Sequence, residues 1–159
     1  MNTEKKENNS LIHRLQKLKE DRGSMSNLRR YWSETTRHYA TMELGRIGIL
    51  NSASDSITAA LYAIHPKHQK GEGLGNSLRK MVRNTDQENA FEPHFRRLLV
   101  CQTLDECQWQ LYRMFKRLEK VEIGVDFEKL MWDLRKFDND TDEIKQRWAG
   151  NYWQVAERK

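Results

Sequence analysis

The stretch TLDECQWQLYRMFKRLEKV, residues 103–121, decides the fold. Thr103 with Glu106 three positions on is a capping box, in which side-chain oxygens satisfy the free amide groups of a helix start. Behind it, Leu104, Leu111 and Leu118 fall at one heptad position and Cys107, Met114 and Val121 at the other. One apolar seam therefore runs down a helix that must pack against other helices.

The pattern continues on the C-terminal side. Asp126 is placed to cap a helix whose stripe is Phe127, Leu130, Met131, Leu134 and Phe137. Asp140 with Glu143 forms a second capping box, and Ile144, Trp148, Tyr152 and Val155 line the last helix. Before residue 103, Pro93 fits a helix start, and Phe95, Leu98 and Leu99 mark the buried face. In the N-terminal half, residues 1–9 read as a disordered tail, and Ser10 caps a helix with Leu11, Ile12, Leu15 and Leu18. Arg22 and Gly23 break it, and Ser24 or Ser26 opens a second helix burying Met25, Leu28 and Trp32. Residues 33–54 are the least regular, with a short helix around His38 to Leu44. Asp55 or Ser56 caps a helix that buries Ile57, Ala60, Leu61 and Ile64. His65-Pro66 ends it, because the residue before proline is pushed out of helical geometry. Lys67 to Gly75 (KHQKGEGLG) reads as a flexible basic loop, followed by a helix from Asn76 to about Asn84.

No strand-like alternation occurs, so the expected fold is all-α, with two small helical bundles in one compact chain. The polar stretch 84–89 is the expected boundary, giving an N-terminal bundle over 10–84 and a C-terminal bundle over 85–159. Charged residues make up 32% of the chain and hydrophobic ones 37%, which suits slender helices better than a deep α/β core. Lys and Arg exceed Asp and Glu by 28 to 23, a formal charge of +5 that is compatible with a polyanion partner. No apolar run approaches the ~20 residues that span a bilayer, and Met1–Asn9 carry no apolar segment of a secretion signal. Cys101 and Cys107 are not in a CxxC arrangement and read as buried thiols of a reducing compartment. A cytoplasmic location and no membrane are expected.

Catalytic chemistry has no constellation to rest on. The histidines His13, His38, His65, His68 and His94 are scattered, and the His65–His68 pair lacks the further ligands that zinc requires. Gly71, Gly73 and Gly75 lack the strand and the lysine of a phosphate loop, and no GxSxG turn is present. No catalytic residue, metal or cofactor is expected. Arginine is more informative. Arg29 with Arg30, Arg79 with Lys80 and Arg83, and Arg96 with Arg97 form three clusters without an interleaved acid. Like charges a turn apart disfavour an isolated helix, whereas a phosphate backbone would repay the repulsion by counterion release. Lys67 and Lys70 join them on charge alone.

At these residues the sequence resembles the CasB family, the small subunit of the type I-E CRISPR surveillance complex Cascade. The resemblance runs in order over about residues 10–155. It is carried by Arg22-Gly23 with Leu28-Arg29-Arg30, by Thr58-Ala59-Ala60-Leu61-Tyr62-Ala63, and by Leu74-Gly75-Asn76-Ser77-Leu78-Arg79. Phe95-Arg96-Arg97-Leu98-Leu99, Val125-Asp126-Phe127 with Leu130, Asp133 and Leu134, and Gln146-Arg147-Trp148-Ala149 complete it. The resemblance implies two helical bundles, no catalysis, and a pair of copies stacked beside the backbone and large subunits. It also implies proximity to the guide RNA and a role in holding the displaced target DNA strand and stabilising the R-loop. Arg29, Arg30, Arg79, Arg96 and Arg97 take that role by position. A basic, aromatic-sparse surface agrees with contact to the nucleic-acid backbone rather than base reading. The segment 67–73 aligns with no motif of the family. A structural adaptor whose arginines meet acidic protein surfaces is the alternative, and a helical RNA-binding protein outside CRISPR biology is a third reading.

The purified protein is expected to give an almost wholly helical circular dichroism spectrum and to cleave no nucleic acid with divalent metal. A strong strand component, or cleavage that tracks with the protein, would contradict this reading.

Overall fold

A computed structural model describes residues 10–85 and 87–154. Among these lie nine α-helices: α1 (Leu11–Leu18), α2 (Arg22–Arg29), α3 (Arg37–Arg46), α4 (Ala53–Ile64), α5 (Leu74–Thr85), α6 (Glu88–Val100), α7 (Leu104–Val121), α8 (Phe127–Lys136) and α9 (Thr141–Gln154). A 3-10 turn, Arg30–Trp32, follows α2, and the described residues form no named strand. The fold is all-α, as the periodicity predicts. Val155 of the expected last stripe and the tail 1–9 lie outside the described residues.

Contacts divide the chain into two compact units, Met1–Pro66 and Lys67–Lys159. The sequence reading puts the boundary at 84–89; the contacts put it at Pro66, because α5 packs its apolar face on α9 and also meets α7 and α6.

In the first unit α4 is the central helix, with every residue from Asp55 to Ile64 buried. A helix apolar on all sides belongs in an interior. The small side chains of Ala59, Ala60 and Ala63 allow close approach there. α1 is capped by Ser10, whose hydroxyl accepts from the His13 amide, and it buries Leu11, Ile12 and Leu15. α2 begins earlier than expected, at Arg22, because Asp21 rather than Ser24 caps it. Likewise Ser52 caps α4, which places Asp55 in the first helical turn. Glu43 is buried at 1% exposure and is held by Arg46 at 3.3 Å and the Asn27 amide at 3.3 Å.

The second unit is built on the α7 seam. Leu104, Cys107, Leu111, Met114 and Leu118 are buried; Val121 at the helix end is half-buried. Thr103 caps α7 as predicted, and Glu122 in left-handed geometry (φ 57°) ends it. The stripes of α8 and α9 are buried as read, with Phe137 on Trp148 at 5.8 Å and Phe95 on Tyr152 at 4.5 Å. Two carboxylates tie the corners: Asp133 accepts from the Trp148 indole and Arg147, and Asp138 accepts from the Leu104 amide at 2.8 Å. Pro93 lies inside α6 rather than at its start. It is exposed, and the Asn89 carbonyl it leaves without an amide partner belongs to an exposed residue that water can serve. Cys101 and Cys107 are buried and unpaired, and burial pushes both thiols up.

Two glycines set close approaches. A Cβ at Gly75 would stand 2.2 Å from the Trp148 carbonyl oxygen and 2.9 Å from the Tyr152 amide, so α5 and α9 touch backbone to backbone there. A Cβ at Gly124 would lie 2.8 Å from Gln69 Cβ and 3.0 Å from the Lys67 carbonyl. That second approach belongs to a clamp that replaces the flexible loop of the sequence reading. Gln69 donates to the Val125 carbonyl and Val125 to the Lys67 carbonyl. Gly71 donates to Asp126, Asp126 to the Glu72 carbonyl, and the Phe127 amide to His68 Nδ1.

Leu111→Ala should cost about 2–5 kcal/mol and Trp148→Ala about 3–5 kcal/mol in thermal or denaturant unfolding. Gly75→Ala, a change of one methyl, should also cost about 1–3 kcal/mol, since the backbone it meets cannot turn aside. Unchanged midpoints for these variants would contradict the packing described.

Candidate nucleic-acid interface

The arginines singled out in the sequence occupy different settings. In the first unit Arg29 is exposed, and its guanidinium donates to the Ala63 carbonyl at 3.2 Å, in the last turn of α4. A cation there also offsets the negative end of the helix dipole. Arg30 stacks over Tyr39 at 4.5 Å. Arg37 donates to the Tyr31 carbonyl and lies 5.3 Å from the Tyr31 ring, with Trp32 edge-on to Tyr31 at 4.8 Å. The surface here is richer in rings than the sequence reading holds.

In the second unit Arg79 is 8% exposed. It pairs with Glu88 at 2.6 Å and faces the rings of Tyr152 and Trp153. The hydrogen bond to Glu88 pushes its guanidinium further up from an already high value. Lys80 pairs with Glu72 at 2.6 Å, and Lys67 donates to the Glu122 carbonyl at 2.6 Å. Arg96 pairs with Glu92 one turn back at 3.5 Å. Arg83 and Lys70 are exposed, with no carboxylate within ion-pair distance among the described residues. Arg97 turns to His94 Nδ1 at 3.3 Å.

His94 leads to a cluster that the sequence reading misses. Arg113, Lys116, Arg117 and Lys120 recur on α7 at helical spacing and share one face, away from the seam. Among the described residues none of the four has a carboxylate within 4.0 Å. They rim a groove of about 570 Å³ whose floor is Met81, Val82, Phe91, Tyr112 and Val121. Arg117 reaches His94 Nε2 at 3.1 Å, so the imidazole sits between two guanidiniums. Burial, then the charges of Arg117, Arg97 and Arg113, holds His94 below its ordinary value. The signal available in the sequence is the spacing i, i+3, i+4, i+7, which the adjacent Arg-Arg pairs overshadow.

Among the described residues no group of three or more His, Cys, Asp or Glu side chains could hold a metal ion. No helix there is long and apolar enough to cross a membrane.

The all-helical fold is one known from solved structures. A Cse2-family CRISPR-associated protein from Thermus thermophilus superposes with a TM-score of 0.72 at 21% identity, covering 90% of this chain and 95% of that one. CasB from M. ruber gives 0.70 at 19% identity over 94% and 95%, and CasB from Thermobifida fusca 0.68 at 21% over 89% and 93%. The family described as CRISPR-associated protein Cse2 matches residues 51–153, and the chain belongs to that family. No curated protein matches it by sequence.

Arg79→Ala should lower stability by on the order of 1–2 kcal/mol, through loss of a charged hydrogen bond and ring contacts discounted for the half-exposed Glu88. Arg113→Ala and Arg96→Ala should change it by no more than about 0.5 kcal/mol. Equal unfolding midpoints for all three would remove the distinction between a buried and a presented arginine.

Proposed function

We propose that this chain is the non-catalytic small subunit of a type I-E CRISPR surveillance complex, where it holds nucleic acid by its backbone. The observation that carries this reading is the α7 face, four cations at helical spacing without a carboxylate partner among the described residues. Family membership supplies the setting. Sequence-independent binding needs cations that stay available for phosphates, and it gains free energy from released counterions. Arg30, Arg83, Lys70 and Arg97 extend the available set, whereas the contacts of Arg79 suit a structural role. The strand held is the displaced target DNA, and holding it stabilises the R-loop. That exchange is nearly balanced in energy for another CRISPR effector, so modest backbone contacts tip it. The other Cascade subunits, the guide RNA and a second copy of this chain are the partners, in the cytoplasm.

A second reading has its own observation. Met42 at 66% and Val100 at 63% are exposed apolar side chains, as a subunit covered by protein would present. The adaptor reading assigns the arginines to acidic protein surfaces.

Gel shifts at several salt concentrations separate the two. Arg113→Ala with Arg117→Ala, and Arg96→Ala with Arg97→Ala, should weaken DNA binding uniformly across sequences. Each lost phosphate contact should flatten the log–log salt slope by about 0.7 for single strands or about 0.9 for duplex. Wild-type affinity and slope in both double variants would end the phosphate-contact reading. Loss of complex assembly before DNA is added would favour the adaptor.

A further inference from the structure

We infer that the groove between α6 and α7 is a phosphate-binding site in which His94 takes up a proton from solvent as the anion enters. This rests on the polyanion reading above and specifies the chemistry of one site within it.

The geometry is that of an anion receptor. A neutral imidazole has one ring nitrogen that accepts and one that donates. Arg97 faces Nδ1 and Arg117 faces Nε2, and a guanidinium only donates. One of the two contacts therefore sets donor against donor, whichever tautomer is present. Protonation makes both ring nitrogens donors, so an anion at either ring edge would accept from that N–H and from the guanidinium beside it. The other charged groups described around the groove act in the same sense: Arg113, Lys116 and Lys120 rim it, and no carboxylate lines it among the described residues. α5 contributes Met81, Val82 and Thr85 to the lining, with no charge.

The occupant is a phosphate strand rather than an acidic peptide. A peptide held in an apolar groove needs exposed apolar pockets for its anchors. Here Met81, Val82 and Phe91 are 4%, 2% and 1% exposed, so these three offer a peptide anchor little surface, while four cations rim the groove above the half-buried Tyr112 and Val121. The four α7 cations extend over about 10 Å of helix, the rise of about three phosphates at 3.4 Å each along one strand.

The sign of the linkage is definite. The free imidazole lies below its ordinary value, held there by burial and by Arg117, Arg97 and Arg113. A bound anion offsets those charges and raises it. Affinity is then strongest below the free-state value and is lost as pH rises through the bound-state value, by at most about tenfold per pH unit for one proton.

The test uses the full chain and a labelled oligothymidylate, with anisotropy titrations between about pH 5 and 8. Wild type should bind more weakly as pH rises, and His94→Gln should bind with a smaller pH slope by up to one proton. Calorimetry in two buffers of different protonation enthalpy should show up to one proton taken up by wild type and less by the variant. The His94 ring resonances should titrate at higher pH with oligothymidylate present, a readout that needs no variant. Equal slopes and equal proton uptake in the two proteins, or an unmoved His94 titration, would sink the proton-coupled site while leaving nucleic-acid binding intact. No oligothymidylate binding at any pH would overturn the polyanion reading and this site together. Tighter binding of oligoglutamate than of oligothymidylate would overturn the phosphate assignment.

Discussion

Two helix backbones meet without side chains between them where Gly75 of α5 lies against the Trp148 carbonyl of α9. That approach sets the spacing from which much of the second unit follows. It brings Tyr152 onto Phe95 and puts Arg79, one turn along α5, among Glu88, Tyr152 and Trp153. On the other side of α9, Trp148 reaches Asp133 of α8 through its indole N–H and stacks on Phe137. A side chain at residue 75 would push on backbone, which has no rotamer to offer in response.

The clamp between 67–72 and 124–127 is a second fastening at the same end of α5. Ser77 donates to the Gly124 carbonyl at 2.7 Å, so α5 is fastened near its start to the turn between α7 and α8. Asp126 caps α8 through the Lys129 amide while its second oxygen accepts from Gly71. One carboxylate thereby serves a helix start and a loop closure. Many residues that carry the family resemblance, among them Gly75, Ser77, Asp126, Asp133, Arg147 and Trp148, hold helices together through such contacts. They record how the fold is held more than what it binds.

Helix existence and apolar faces were legible because they rest on local spacing: the α7 seam and the α8 stripe are buried much as read. Caps were harder, since Asp21 and Ser52 lie three to five residues from the equally plausible candidates Ser24, Ser26, Asp55 and Ser56. The pairing of α5 with α9 and the clamp at 67–72 depend on partners distant in sequence, and no periodicity reports them. The same holds for the candidate site. Adjacent arginines stand out in a sequence, yet folding sends Arg79 inward and pairs Arg96 with Glu92. The α7 cations are spaced by helical turns, interleaved with the seam, and become one surface only once the helix is drawn.

The contact at Gly75 also orders events in time. Its two halves are more than seventy positions apart, and long-range pairings form late because the intervening chain must first be closed into a loop. During synthesis α5 leaves the ribosome well before α9 exists, so its glycine-bearing face must wait for its partner. The second unit therefore reaches its final packing only when its last helix arrives. The first unit, whose helices all precede residue 67, has every part it needs much earlier.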